Sequence, residues 1–362
     1  MDNFIVSARK YRPATFESVV GQQNVTSTLV NAIKNNHLAQ AFLFCGPRGV
    51  GKTTCARILA KAVNHPDQLD QLDTIDDENL NIFELDAASN NSVEDIRNLI
   101  DQVRIAPQAG QQYKVYIIDE VHMLSTQAFN AFLKTLEEPP AYAIFILATT
   151  EKHKILPTIL SRCQTFDFSR ITVNDMANHL NYIAEKENVT VEPAALHVVA
   201  QKADGGLRDA LSMFDMLVTF TNGNISYQNV IENLNVLDHD YYFKVSEAML
   251  QNNIADGLLI LNDVISKGFD PHLFVIGLAE HLRNIMVCLN TSTVMLLELS
   301  DQLKERYQQH APQWNKGWLL RALQLTNECD IHFKTSKNQR LLVELCVMQL
   351  CSLTAEGAEK KK

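Results

Sequence analysis

Residues 46–54 combine glycines, a lysine and two threonines in a spacing that suits a phosphate ligand. The run is Gly46-Pro47-Arg48-Gly49-Val50-Gly51-Lys52-Thr53-Thr54, which fits the pattern G-x-x-x-x-G-K-[ST]. Glycines let successive backbone N–H groups curl around phosphate oxygens, and the N-terminus of a following helix adds the positive end of its dipole. We therefore expect Lys52 to reach the β- and γ-phosphates of a nucleotide and the Thr53 hydroxyl to bind Mg²⁺.

Two adjacent carboxylates follow an apolar, β-branched run further along the chain. Val115-Tyr116-Ile117-Ile118 leads directly into Asp119 and Glu120. Asp119 would hold the metal, directly or through water, and Glu120 would orient and polarise the attacking water. A lone glycine-rich loop can arise by chance, but both motifs in this order, each at the end of a predicted strand, predict nucleotide hydrolysis.

The elements that must position these motifs follow from the hydrophobic pattern. Strands are predicted at Ala41–Cys45, Ile82–Leu85, Val115–Ile118, Ile144–Ala148 and Gln164–Phe168. Helices are predicted between them, at Gln23–Asn35, Thr53–Val63, Val93–Val103, Ser125–Glu137 and Pro157–Leu160. This alternation predicts an α/β domain with a parallel sheet covered on both faces. Both motifs would then lie at the carboxyl edge of the sheet, where ligands bind.

The pattern becomes helical after residue 172. Three helices are predicted at Asn174–Glu187, Pro193–Ala203 and Leu207–Thr219, and helical stripes continue from Tyr241 to Leu353. The predicted division is a nucleotide-binding domain at 1–168, a helical domain at 169–238, a second helical domain at 239–355 and a disordered tail at 356–362.

Composition limits the class of protein. The 362 residues include 32 Lys and Arg and 42 Asp and Glu, which gives a net charge of −10. This charge argues against a protein whose whole surface binds DNA, but it allows a local DNA-binding region. No apolar run reaches the ~18 residues of a membrane span, and the start lacks a signal-peptide pattern. The seven cysteines form no C-x-x-C pair. They predict reduced thiols in a cytoplasmic protein without a membrane segment.

Four further residues, at three places in the chain, have two interpretations each. Arg162, in Ser161-Arg162-Cys163, is either a surface ion pair, which the residues alone favour, or an arginine finger that reaches a neighbouring subunit's nucleotide. Thr149 and Thr150 end an apolar strand, where a hydroxyl either senses a γ-phosphate or caps the strand. Arg208 lies at the start of a predicted helix, where its positive charge interacts unfavourably with the helix dipole. This suggests either that Arg208 binds an anionic partner or that Asp209 neutralises its charge.

Two more segments have a structural interpretation by default. Asp119-Glu120-Val121-His122 superficially matches a helicase box, but no other helicase motif accompanies it, so His122 is expected to be structural. Ser89-Asn90-Asn91-Ser92-Val93-Glu94 is typical of a helix N-terminus capped by Ser92 or Asn91. Its free N–H groups could instead receive a nucleic-acid phosphate.

Taken together, these residues resemble the tau/gamma subunits of bacterial DNA polymerase III clamp loaders, which are AAA+ ATPases. The matching segments are Ala8–Pro13, Val19–Gln22, Gly46–Thr54, Glu84–Ser89, Val93–Arg97, Asp119–Leu124, Leu133–Pro140, Leu147–Thr150, Ser161–Cys163 and Gly206–Leu211. The resemblance is dense over about residues 4–215, whereas the last third matches only in helical character and length.

The resemblance implies a fold and a set of site residues. The fold would be an AAA+ P-loop domain with a parallel sheet, followed by a helical lid and an all-α collar that holds an oligomer together. ATP and Mg²⁺ would bind at Gly46–Thr54 and Asp119, and Thr149 and Thr150 would contain sensor 1. Arg208 would be sensor 2 and Arg162 a finger acting in trans, which reverses the interpretation from the residues alone. Ala8, Arg9, Arg12 and Val20 would frame the adenine and ribose, and Asn90, Ser92, Arg97, Thr150 and Lys154 would face DNA.

The resemblance also implies partners and a task. ATP binding between subunits would order a spiral that opens a sliding clamp and accepts primed DNA, with delta and delta-prime subunits and other copies of this chain as neighbours. Many family members insert a four-cysteine zinc module where this chain has Asn64–Asn81, which contains no cysteine, so no zinc is predicted. The alternatives are a non-hydrolysing scaffold of the delta-prime kind and a branch-migration motor from another AAA+ family.

Overall fold

The computed structural model describes residues 5–74, 81–107, 111–297 and 299–359. They form two compact units that divide between Asn224 and Ile225. The domain boundaries predicted at 168 and 238 stay a prediction. The last helix runs to Glu359, and the tail predicted at 356–362 stays a prediction. Residues 360–362 lie outside the described ranges.

A five-stranded parallel sheet forms the centre of the N-terminal unit, in the order β2-β3-β4-β1-β5. The strands are β1 (Ala41–Cys45), β2 (Ile82–Asp86), β3 (Lys114–Asp119), β4 (Ala143–Thr149) and β5 (Gln164–Asp167). All five predicted strands are confirmed. Successive side chains point to opposite faces, so Phe42 and Phe44 join one hydrophobic cluster while Leu43 joins the other. Burial on both faces explains why β1 is apolar throughout and β4 is apolar up to its last residue, Thr149.

Helices lie on both faces of this sheet, and the predicted helices are confirmed. Those that pack on the sheet are α2 (Gln23–Lys34) and α3 (Lys52–Ala62) on one face, and α4 (Val93–Val103), α5 (Thr126–Glu137) and α6 (Pro157–Leu160) on the other. The unit also contains α1 (Ser7–Lys10), α7 (Val173–Lys186), α8 (Pro193–Lys202) and α9 (Leu207–Thr221). Short 3₁₀ turns occur at Pro66–Thr74, Val121–Met123 and Lys152–Lys154. No strand was predicted after residue 172, but two-residue strands occur as β6 (Thr190–Val191) and β7 (Asn224–Ile225).

The N-terminal segment is fixed to the helices that follow the sheet. The backbone N–H of Ser7 donates to Asp215 on α9 at 2.8 Å, and the Ser7 hydroxyl donates to the same carboxylate. Lys10 pairs with Glu187 at 2.5 Å, and the Tyr11 hydroxyl donates to that carboxylate as well. Burial and the hydrogen bond to Glu187 raise the pKa of Tyr11 to about 12. The Asp215 contacts hold α1 against α9, the helix that carries Arg208, and the Glu187 contacts hold it against the end of α7.

The C-terminal unit is a helical bundle with a single hydrophobic cluster among its described residues. Its helices are α10 (Tyr227–Asn233), α11 (His239–Leu250), α12 (Ile254–Ser266), α13 (Pro271–Cys288), α14 (Asp301–His310), α15 (Lys316–Phe333) and α16 (Gln339–Glu359). His281, 1% exposed, hydrogen-bonds Tyr307 at 2.8 Å through Nδ1. Trp314 and Trp318 lie with their ring centroids 4.4 Å apart. None of the helices described is both long and apolar enough to cross a membrane.

Candidate nucleotide site

The loop between β1 and α3 adopts a conformation that glycine allows. Gly46, Gly49 and Gly51 have φ angles of +150°, +77° and +104°. A Cβ on Gly46 would collide with the backbone oxygen of Phe168, and a Cβ on Gly49 would lie 3.3 Å from the Cβ of Arg208. The loop therefore needs glycine both for its dihedral angles and for the space around it.

Lys52 is a buried cation at the start of α3. It is 6% exposed, and its Nζ donates to the carbonyls of Gly46 and Pro47 at 2.8 and 2.7 Å. Burial lowers the pKa of this ammonium, an effect opposed by the nearby carboxylates Glu120 and Asp119. A buried ammonium bonded to neutral carbonyls is suited to an anion that can replace those partners.

The Thr53 hydroxyl and Asp119 form a pair of oxygen ligands beside this loop. Thr53 Oγ1 donates to Asp119 Oδ2 at 2.6 Å, and Asp119 Oδ1 accepts the Glu120 N–H at 2.9 Å. A hydroxyl and a carboxylate suit Mg²⁺, which takes its remaining ligands from phosphates and water. Within the described ranges, no cluster of three or more His, Cys, Asp or Glu could hold a metal by itself. The prediction of no zinc stays a prediction, because residues 75–80 of that stretch lie outside the described ranges.

Glu120 follows β3 in a left-handed conformation, with φ +47° and ψ +44°. This region is uncommon for a residue with a side chain and often marks a functional site. Oε2 of Glu120 accepts the N–H of Thr150 at 3.1 Å and the hydroxyl of Thr150 at 3.0 Å. The carboxylate is thus fixed by the end of the neighbouring strand, β4.

A cavity of about 560 Å³ collects most of the predicted site residues. Those that line it are Ala8, Arg12, Val20, Arg48, Gly49, Val50, Gly51, Lys52, Thr53, Thr54, Asp119, Glu120 and Arg208. Arg9 lines an adjoining cavity of about 1030 Å³, which shares Ala8, Arg12 and Arg208 with the first. The residues predicted from motif spacing and those that only the resemblance implied (Ala8, Arg9, Arg12, Val20 and Arg208) therefore line the same pair of cavities, although they are distant in the sequence.

The same cavity contains charged residues that the motifs did not single out. Arg57 donates to both oxygens of Glu84, at 2.7 and 2.5 Å, and both residues line the cavity. Asp86 ends β2 opposite Asp119 in the register of the sheet. The argument that placed Asp119 at the carboxyl edge applies equally to Asp86, and that signal could have found it.

The two predicted arginines have different surroundings. Arg208 lies in the first turn of α9 and lines both cavities. Arg162 donates to Glu137 at 2.8 Å and to the carbonyl of Thr158 at 2.6 Å, which is the surface ion pair that the residues alone favoured. It is absent from the described lining of its own chain's cavity. A role in trans stays a prediction.

Thr149 and the predicted DNA-facing residues mostly have local partners. The buried hydroxyl of Thr149 accepts the Glu151 N–H at 3.0 Å, as strand-end capping requires. Ser92 forms a capping box with Asp95 at the start of α4, and Asn90 donates to the Asp86 carbonyl at 3.2 Å. Arg97 is exposed on α4, Lys154 pairs with Glu151 at 2.8 Å, and Thr150 binds Glu120. DNA contact and nucleotide sensing by these residues stay predictions.

Three family profiles match consecutive parts of the chain. They are DNA polymerase III, delta subunit, at residues 21–172; DNA polymerase III clamp loader subunit, ATPase lid domain, at 175–223; and DNA polymerase III subunits gamma and tau domain III, at 225–361. Together the profiles cover the sheet, the three helices that follow it and the C-terminal bundle.

Curated relatives match over nearly the whole chain. The DNA polymerase III subunit tau of Bacillus subtilis is 38% identical over 97% of this chain and 64% of its own length. The gamma subunit of Buchnera aphidicola subsp. Baizongia pistaciae is 32% identical over 98% of both chains. The tau subunit of Escherichia coli is 40% identical over 78% of this chain and 45% of its own length. The chain thus spans about half to two thirds of the two tau subunits.

Proposed function

Since the chain belongs to the tau/gamma family of DNA polymerase III clamp-loader subunits, with an AAA+ fold, we propose that it hydrolyses ATP to open a sliding clamp and load it on primed DNA. The observation that carries the proposal is the convergence of Lys52, Thr53, Asp119 and Glu120 on one cavity. Phosphate-binding, metal-binding and base functions are all available within it.

In this proposal Lys52 exchanges its two carbonyl partners for the β- and γ-phosphate oxygens. Thr53 and Asp119 would hold Mg²⁺, which neutralises the charge that develops on the phosphates. Glu120 would orient the attacking water and take its proton. The two hydrogen bonds from Thr150 fix the carboxylate that does this.

The remaining cleft residues would bind the rest of the nucleotide. Ala8, Arg9, Arg12 and Val20 would surround the adenine and ribose, which is supported by their place along the two adjoining cavities. Arg208 would contact the phosphates as sensor 2, and Thr149 and Thr150 would contain sensor 1. The hydrogen bonds between Ser7 on α1 and Asp215 on α9 support a site in which residues of α1 and Arg208 of α9 bind the same nucleotide.

Completion of the site by a neighbouring subunit is also part of the proposal. Arg162 would leave Glu137 and reach the nucleotide of the adjacent subunit, where such a finger raises the rate by ~10³ or more. The neighbours would be other copies of this chain and delta and delta-prime subunits. Asn90, Ser92, Arg97, Thr150 and Lys154 would follow the DNA backbone largely by hydrogen bonds, which suits a chain with a net charge of −10.

A non-hydrolysing scaffold of the delta-prime kind is the second candidate within the same family. It would keep the fold and the bundle but would not need a buried Lys52 beside a Thr53–Asp119 pair and a fixed Glu120. Family membership disfavours a branch-migration motor.

The test is the steady-state ATPase rate of the purified chain, alone and with delta, delta-prime, sliding clamp and primed DNA. Strong stimulation by the full set alone is the expected result. Turnover indifferent to clamp and primer would indicate an ATPase with another task. No turnover in any mixture would favour the scaffold.

A further inference from the structure

His122 lies buried between two carboxylates, although the sequence assigned it only a structural place. Its side chain is 6% exposed. Nδ1 lies 3.3 Å from Glu120 Oε2 and 3.0 Å from Thr149 Oγ1. Nε2 lies 3.3 Å from Glu151 Oε1. The imidazole ring therefore connects the turn after β3, to which His122 and Glu120 belong, with Thr149 and Glu151 at the end of β4.

A tight backbone turn places the side chain of His122 beside that of Glu120. Glu120 has left-handed dihedral angles, and the N–H of Met123 donates to the Glu120 carbonyl at 2.8 Å to close a short turn. An imidazole two residues further on thereby meets the side chain of Glu120 itself.

The contacts to Glu120 converge on one of its oxygens. The N–H of Thr150, the hydroxyl of Thr150 and Nδ1 of His122 all approach Oε2. A carboxylate held through Oε2 has its plane fixed and presents Oε1 as the atom that accepts a proton from water.

We propose that His122 is a positioning residue for hydrolysis, whose Nδ1 holds the carboxylate of Glu120 while Glu151 anchors the ring through Nε2. This inference rests on the proposed function, in which Glu120 is the base. His122 acts through Glu120 and is absent from the described lining of the nucleotide cavity. Its loss should therefore lower kcat and leave KM for ATP unchanged.

Three substitutions separate the two ring nitrogens. The amide of His122→Asn falls near the position of Nδ1, that of His122→Gln falls near the position of Nε2, and His122→Ala keeps neither. We expect kcat to fall about tenfold in the Ala and Gln variants, because the polar contacts of Nδ1 with Glu120 and Thr149 are lost, and to recover by more than half of that loss in the Asn variant. His153→Asn is the matched control, because His153 lies 3.5 Å from Glu151 but is exposed.

The assay uses the full chain in the assembly in which the wild type hydrolyses ATP fastest, with Glu120→Gln alongside. An unchanged kcat in His122→Ala, or equal losses in the Asn and Gln variants with lowered thermal stability, would overturn the positioning role while leaving the ATPase proposal intact. If the wild type shows no turnover, or Glu120→Gln turns over normally, the assignment of Glu120 as base falls, and the role of His122 falls with it. If the Ala variant does not fold, the Asn and Gln variants still decide between the two outcomes.

Discussion

Lys52 must give up two hydrogen bonds to the loop before it can bind an anion. Because Lys52 is buried, its ammonium is only partly solvated, which lowers its pKa and would make a phosphate group a strong partner for it. At the scale of single residues, the proposed function depends on individual charged groups, such as the Lys52 ammonium and the Glu120 carboxylate. Removing or neutralising one of these groups should change either nucleotide binding or hydrolysis and leave the other unchanged.

Lys52→Ala should weaken ATP binding about 10- to 100-fold, because charge-assisted hydrogen bonds contribute ~1.5–3 kcal/mol. Titration with a fluorescent ATP analogue measures this directly. Lys34→Ala, which removes an exposed lysine at the end of α2, is the matched control. Unaltered affinity in the Lys52 variant would refute the assignment of the phosphate-binding loop.

Glu120→Gln should bind ATP normally and hydrolyse it at least about a hundredfold more slowly, because an amide cannot take a proton from water. The shape of the side chain and its contact with Thr150 are largely kept, so binding serves as the internal control. Binding affinity and single-turnover hydrolysis measured on the same preparation separate the two effects. Near-normal hydrolysis would remove Glu120 from the role of base.

At the scale of elements, α4 begins with a capping box in which Ser92 accepts the Asp95 N–H and Asp95 accepts the Ser92 N–H. Ser92→Ala should lower stability by about 1 kcal/mol, measured by denaturant unfolding with hydrogen exchange in α4. Ser92→Asp keeps the cap but adds a negative charge. Weaker DNA binding by both variants, with the larger loss in the Asp variant, would support a phosphate contact, whereas DNA binding equal to that of the wild type in both would leave Ser92 as a cap only.

The elements themselves could be predicted from the sequence, because burial of β1, β3 and β4 leaves uninterrupted apolar runs that reveal a parallel sheet. Lys52 and Thr53 could be located from the sequence for a different reason: the residues of a phosphate-binding loop are consecutive, so their spacing identifies them without knowledge of the fold. The Arg57–Glu84 pair, the left-handed Glu120 and the position of His122 could not be predicted, because each depends on which strands are neighbours.

At the scale of the whole molecule, the proposal is that a neighbouring subunit completes the nucleotide site. Arg162→Ala should leave ATP binding by the isolated chain intact and lower turnover of the assembly by about a thousandfold at the affected sites. Mixtures of Arg162→Ala chains with Glu120→Gln chains test whether Arg162 acts on a neighbour's nucleotide. Where an Arg162→Ala chain supplies Glu120 and its Glu120→Gln neighbour supplies Arg162, one site is intact and activity returns. No loss in the Arg162 variant assembly would contradict the trans role and leave the ion pair with Glu137 as its whole function.

The C-terminal unit should lose stability in acid. Burial lowers the pKa values of His239, His281 and His310, so these rings stay neutral to a lower pH in the folded unit than in the unfolded chain. Unfolded histidines take up protons below about pH 6.5, so unfolding is favoured as pH falls through that value, by up to ~1.4 kcal/mol per pH unit for each proton. The charged groups that influence these rings are Asp238, Asp240, Glu247 and Arg306.

Hydrogen exchange in α13 between pH 7.5 and pH 5 measures this loss. His239→Gln should make the dependence on pH shallower, and His332→Gln, which replaces an exposed histidine of α15, should leave it unchanged. A stability that is flat over this range would contradict the burial of neutral rings.

The position of the two tryptophans gives the chain a built-in optical reporter. Trp314 and Trp318 are the only tryptophans in the sequence, and both belong to the C-terminal unit. Selectively excited indole emission will therefore follow the melting of the helical bundle and will miss unfolding confined to the sheet. A tryptophan placed on the exposed side of α2 would supply the second signal, and the two spectra would show whether the units melt together or one after the other.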